Sequence, residues 1–113
     1  MTPFGYRVLG FGSGGQAIPP YDIEYLVIGG GGAAAGGKNS AYNGAAGGGG
    51  AGAYRTASGL TLESGTQYTA TIGAGGPGLA YNNGGPRGPA GDESSFSTIT
   101  SGGGGGGNSY GFS

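Results

Sequence analysis

Residues 21–32 read YDIEYLVIGGGG, and the change of character at residue 29 decides the fold. In the first eight residues Tyr21, Ile23, Tyr25 and Val27 fall on one face. Asp22, Glu24, Leu26 and Ile28 fall on the other, the alternation of a β-strand. The acids come first and the aliphatics last, so the strand is expected to start half-solvated and end buried on both faces. It then enters GGGGAAAGG, where neither strand nor helix periodicity persists.

The same juxtaposition recurs outward from this stretch. Residues 29–53 are almost only Gly and Ala, interrupted by KNSAYN at 38–43. Residues 54–72 follow as YRTASGLTLESGTQYTATI. Leu60 and Leu62 alternate with polar residues, SGTQ supplies a turn, and Tyr68, Ala70 and Ile72 alternate again, which predicts a β-hairpin. Residues 73–91 return to Gly and Pro, with NNGG as a turn signal, and 92–100 (DESSFSTIT) predict a third short strand anchored by Phe96 and Ile99. A last glycine run closes the chain. Residues 1–20 read as a separate arm: Phe4, Tyr6 and Val8 alternate with Gly5, Arg7 and Leu9, Phe11 follows, and Pro19–Pro20 stiffen the exit. The expected fold class is all-β, with short strands, extended polyglycine II-like segments and no α-helix, in a domain over 21–113 carrying the arm 1–20.

Composition narrows the function. Among 113 residues there are 34 Gly and 6 Pro, four basic and five acidic residues, and neither His nor Cys. That excludes disulfides, thiol chemistry, His-based triads and the usual zinc sites. The cations Arg7, Lys38, Arg55 and Arg87 are scattered, so nucleic acid is not an expected partner. No apolar run is long enough to cross a membrane as a helix, and no signal-peptide pattern opens the sequence. Each Gly costs about 0.5–1 kcal/mol more than Ala to order, so something other than side-chain burial must hold these runs. Polyglycine can form a left-handed threefold helix without internal hydrogen bonds, and such helices can bond to each other on several sides. Residues alone leave two readings open, a lattice of such segments or flexible loops. In the lattice, Ala at 33–35, 45–46 and 51 is expected at the edge, and Gly48→Val is expected to disrupt assembly more than Tyr42→Ala.

Several motifs imitate chemistry. YLVIGGGGAAAGG has the GxGxxA spacing of a dinucleotide loop at Gly29, Gly31 and Ala34, but no helix signal and no acid near residue 50 follow. Gly32 to Lys38 spells most of a phosphate loop, yet Asn39 stands where Ser or Thr must ligate magnesium. GPRGPAG at 85–91 is two collagen-like triplets that stop at Asp92, which reads as a turn or lattice edge. Asp22 with Glu24, and Asp92 with Glu93, are the acid pairs. A solvated strand face accounts for the first better than catalysis, and the second, pointing opposite ways if extended, reads as a strand start beside a turn rather than a calcium site. No enzyme, cofactor or metal is expected. Tyr42, Tyr81 and Tyr110 sit in SAYNGA, LAYNNG and NSYGF, and Tyr among small polar residues suits adaptable recognition loops. With Asn43, Asn82 and Asn83 they are the candidate recognition residues.

The ordered series YDIEYLVIGGGG, GGGGAGAYRT, LTLESGTQYTATIGAGG and GDESSFSTITSGGGGGG resembles the glycine-rich domain of tail fibres and adhesins of tailed bacteriophages. The resemblance covers residues 21–107. It implies a sandwich of polyglycine II helices whose connecting loops contact the host surface. It also implies a virion fibre or spike at the virion surface, built as a homotrimer. The arm residues Phe4, Tyr6, Val8, Leu9 and Phe11 would then serve assembly with sister subunits or other virion proteins, and a host glycan or protein would be the target. A self-assembling extracellular filament is the competing reading. An ice-binding polyglycine bundle fits less well, since no strict three-residue Gly period is visible.

Overall fold

The computed structural model describes residues 18–37, 45–80 and 87–109. β1 (Tyr21–Ile28) forms over the eight alternating residues. β2 (Tyr54–Leu62) pairs with it antiparallel, placing Tyr54 opposite Ile28 and Leu62 opposite Tyr21. The register shifts between Ile23 and Tyr25, so Ser58 and Gly59 together face Glu24. Gly59 has φ of 81°, the left-handed conformation that such a bulge requires and that glycine adopts without steric cost. Gly59→Ala is therefore expected to destabilise the fold by about 1–2 kcal/mol and to lower the melting temperature by roughly 4–15 °C. An unchanged thermal melt would show that the bulge relaxes into another register.

The second sheet departs from expectation. β3 (Ala70–Thr71), β4 (Ser94–Phe96) and β5 (Ile99–Ser101) form it in the order β3-β4-β5, antiparallel throughout. Residues 54–72 are thus not a hairpin, because β2 pairs with β1 while β3 pairs with β4. The segment between them is a crossover held by Tyr68. Its hydroxyl accepts the Glu63 N–H at 2.8 Å, and its ring lies 6.2 Å from that of Phe96. Residues 92–100 are not one strand but most of the β4–β5 hairpin, turning at Ser97, whose φ is 54°.

The two sheets stack, with β1 over β4 and β5 and β2 over β5. Val27 and Leu62, on the same face of the upper sheet, are buried between them. The Arg55 guanidinium donates to the Thr100 carbonyl at 2.8 Å across the layers. Leu26 and Ile28 remain 56% and 51% exposed, so β1 ends buried on one face only. Among the described residues the upper layer has two strands and the lower has three.

Beyond the strands the pairing does not stop. Ile28 pairs with Tyr54, and the next residue, Gly29, donates its N–H to the Ala53 carbonyl at 3.0 Å. Gly32 then donates to Gly50 and Ala35 to Gly47 at 2.8 and 3.0 Å, in the same register but now every third residue. The ladder period has changed from two to three because the chain has passed from a pleated strand into a threefold extended helix. The β4–β5 ladder continues likewise, with Gly91 donating to Gly104 and Gly88 to Gly107. The β3–β4 ladder continues through Asp92 N–H to Ala74.

Five rods result: rod 1 over 29–37, rod 2 over 45–53, rod 3 over 73–78, rod 4 over 88–92 and rod 5 over 102–108. The run 73–91, read from sequence as one glycine-rich stretch, supplies two of them. Rod 1 bonds to all the others. Gly30 and Ala33 donate to Asp92 and Pro89 of rod 4, and their carbonyls accept from Gly104 and Gly107 of rod 5. The Gly31 carbonyl accepts from Gly76 of rod 3. Rods 2, 5, 4 and 3 bond in that sequence around rod 1, and rods 1, 3 and 5 run opposite to rods 2 and 4. The lattice reading thus holds over the flexible-loop alternative. Pairing in the described lattice extends from these backbone groups alone, each bond contributing about 0.5–1.5 kcal/mol net.

Inward and outward positions repeat every three residues. A Cβ on Gly88 or Gly91 would strike the backbone of rod 1, whereas Ala90 between them is exposed. The described part of the collagen-like stretch, residues 87–91, therefore does mark a lattice edge, with Gly at 88 and 91 where the rod faces rod 1. Ala34, Ala45, Ala46 and Ala51 lie exposed at the edge as expected, but Ala33 and Ala35 are buried. Gly48 looks onto open space, so a Cβ there meets no neighbouring rod, which removes the ground for expecting valine to disrupt the lattice.

Candidate functional site

The lattice has two unlike ends. At one end stand the strands, the turns at 64–65 and 97–98, and the entry of the chain at Ile18. The Ser64 hydroxyl donates to the Pro19 carbonyl at 3.1 Å there. At the other end rod 1 finishes at Gly37 and rod 2 begins at Ala45. Rod 3 leads to Ala80, rod 4 starts after Arg87, and rod 5 ends at Ser109, which bridges to Ala46. The alternating rod directions bring all five of these chain ends to one side. Segments 38–44, 81–86 and 110–113 are joined there.

The candidate recognition residues Tyr42, Asn43, Tyr81, Asn82, Asn83 and Tyr110 belong to those segments and lie outside the described residues. So do the arm residues Phe4, Tyr6, Val8, Leu9 and Phe11.

The imitations of catalytic motifs have plain structural uses. The N–H groups of Gly29, Gly30, Gly32, Ala33 and Ala35 already donate to carbonyls of neighbouring rods, so they cannot cradle a phosphate. Asp22 accepts the Thr61 hydroxyl at 2.6 Å, and Glu24 is exposed on the same strand face. Among the described residues no group of three or more His, Cys, Asp or Glu side chains is placed to hold a metal. No helix there is long and apolar enough to cross a membrane.

Two features went unread in the sequence. One is an open groove of about 310 Å³ beside β1. Its walls are β1 from Ile23 to Ile28, β3 with Ile72, and β4 with Phe96. β1 is an edge strand of its sheet and β3 of the other, and Ile72 is 85% exposed. Alternation marked these residues as apolar but could not say that no strand among the described residues covers them. The other is the pair Ser94 and Ser101, facing each other across β4–β5 and 2% and 0% exposed. Small polar residues next to glycine carry no periodic signal of burial.

No curated protein and no solved structure matches the chain. A family model does, over residues 10–113, and its description, a glycine-rich domain, agrees with the lattice just described. The chain belongs to that glycine-rich domain family.

Proposed function

We propose that the protein is a structural and adhesive component of a virion fibre or spike of a tailed bacteriophage, presenting its lattice end to the host surface. The observation that carries this reading is polarity. The segments that carry Tyr42, Tyr81 and Tyr110 with Asn43, Asn82 and Asn83 join one end of the lattice, and the N-terminal arm joins the other. Each connection is short, six or seven residues between fixed rods for 38–44 and 81–86, which limits the ordering entropy lost on binding. Tyr supplies broad contact area at low rotamer cost, and Asn supplies adaptable hydrogen bonds suited to sugars. The arm is the part left for sister subunits, in a homotrimer, or for other virion proteins.

The test replaces Tyr42, Tyr81 and Tyr110 together with Ala and measures retention on a panel of bacterial cells and surface glycans. Retention is expected to fall at least about 100-fold, a loss of roughly 2.7 kcal/mol spread over three aromatic contacts. The melting temperature should stay within about 2 °C, as expected for surface changes. Equal retention by the triple variant, or no retention of the parent by any cell, would overturn the reading.

A further inference from the structure

The two stacked sheets are unequal, and the deficit has a definite shape. Among the described residues the upper layer lacks a strand where β1 presents its open edge above β3 and β4. Two open strand edges from different sheets border that place, and its floor is apolar. Within the lattice the corresponding rods 1 and 3 bond directly, through Gly76 N–H to Gly31, whereas β1 and β3 stay apart. Room for one extended segment opens only where side chains begin. Open edges with apolar flanks are templates for strand addition.

We propose that residues 4–11 of a sister copy fill this place, lying antiparallel to β1. This rests on the assembly role given above to the arm. The length fits: eight residues in a strand span about 26 Å, and residues 4–10 cover seven of the eight residues of β1. The pattern fits as well. With Phe4, Tyr6 and Val8 set opposite Val27, Tyr25 and Ile23, the apolar face of the arm turns down onto Phe96 and Ile72. The same register sets Arg7, the arm's one charged residue, opposite Glu24 on the outer face. Glu24 is exposed, and no hydrogen bond or ion pair engages its side chain among the described residues, whereas its neighbour Asp22 is taken by Thr61. The sister copy is favoured over the chain's own arm by the way the chain enters. Pro19 accepts from Ser64, opposite it in the continued β1–β2 register, so the chain runs out along the line of β1, and Pro19–Pro20 keep it extended there and direct the arm away from its own groove. Exchange of arms between copies closes a ring when the rotation repeats.

The test uses the full chain throughout. Native mass spectrometry should show a closed oligomer, and amide exchange at 23–28 and 70–72 should be at least about tenfold slower in it than after dilution to monomer. Ile72→Asp, at a position already exposed, should release monomers. So should Glu24→Lys, and adding Arg7→Glu to it should restore the oligomer. Protection that persists in a monomer would assign the place to the chain's own arm and overturn the proposal. So would an oligomer indifferent to Ile72→Asp, or a charge swap that fails to restore assembly. Retention of the monomeric Ile72→Asp variant on cells tests the adhesive reading separately, since the arm is not needed for the far end to bind.

Discussion

Gly49→Ala is expected to dismantle the lattice, and Gly48→Ala, one residue earlier, to leave it intact. At Gly49 a Cβ would overlap the backbone of Gly32 and Ala33 in rod 1. Backbone atoms cannot rotate aside as a side chain can, so rod 2 must move as a whole. That movement stretches the bonds from Gly32 to Gly50 and from Ala35 to Gly47, and on the other side those from Gly47 to Asn108 and Gly50 to Gly105. Overpacking alone costs about 1–3 kcal/mol, and four weakened bonds, at about 0.5–1.5 kcal/mol each when lost, add to it. Against a net stability of about 5–15 kcal/mol this is a large fraction, and a fall in melting temperature of more than about 10 °C is expected. At Gly48 no atom lies within 4 Å of the added Cβ, and the backbone is not left-handed. Alanine there should instead stabilise by about 0.4–1 kcal/mol, by restricting the unfolded chain. Thermal melts of the two variants check the pair. Equal tolerance at both sites would mean that the rods are not in direct backbone contact.

The contrast explains what the sequence displays and what it conceals. β1 is legible because each of its side chains reports the face it occupies, and the alternation runs to Ile28 before it ends. In the rods that report is missing. Gly48 and Gly49 are the same letter, one facing water and the other facing rod 1, so the threefold period is invisible where every residue is glycine. It surfaces only in rod 4, where Pro89 and Ala90 separate Gly88 from Gly91. Pairing was less legible than strand existence. Leu60, Leu62, Tyr68 and Ala70 alternate as hairpin strands should, but alternation sets the facing of a strand and not its partner. The partner of β2 was set by the lattice, because rod 2 already lies beside rod 1 and delivers β2 in register with β1. The same logic placed the candidate site. Tyr42, Tyr81 and Tyr110 are far apart in sequence, and only the alternating directions of the rods join their segments at one end.

Ser94→Ala should cost more than Ser101→Ala, although both hydroxyls are buried and both make one good hydrogen bond. The two serines stand where the strand period of two gives way to the rod period of three, and backbone groups there fall out of phase with both ladders. The Ser94 hydroxyl accepts the N–H of Gly73, at 2.9 Å. Among the described contacts this is the partner that N–H has, so alanine leaves a part-buried donor unmet, at about 1–3 kcal/mol. The Ser101 hydroxyl donates to the carbonyl of Ala53, at 2.6 Å. That carbonyl also accepts the N–H of Gly29, at 3.0 Å. Alanine at 101 therefore removes one of two donors, and the loss is about 0.5–1.5 kcal/mol. Urea midpoints should fall in that order, with m unchanged because the same surface is exposed on unfolding. Amide exchange sharpens the test: Gly73 should lose protection in Ser94→Ala, while Gly29 keeps it in Ser101→Ala. If Ser101→Ala proved the more damaging, the carbonyl of Ala53 would need both donors. The junction would then be held chiefly between rods 2 and 5, and not between β4 and rod 3.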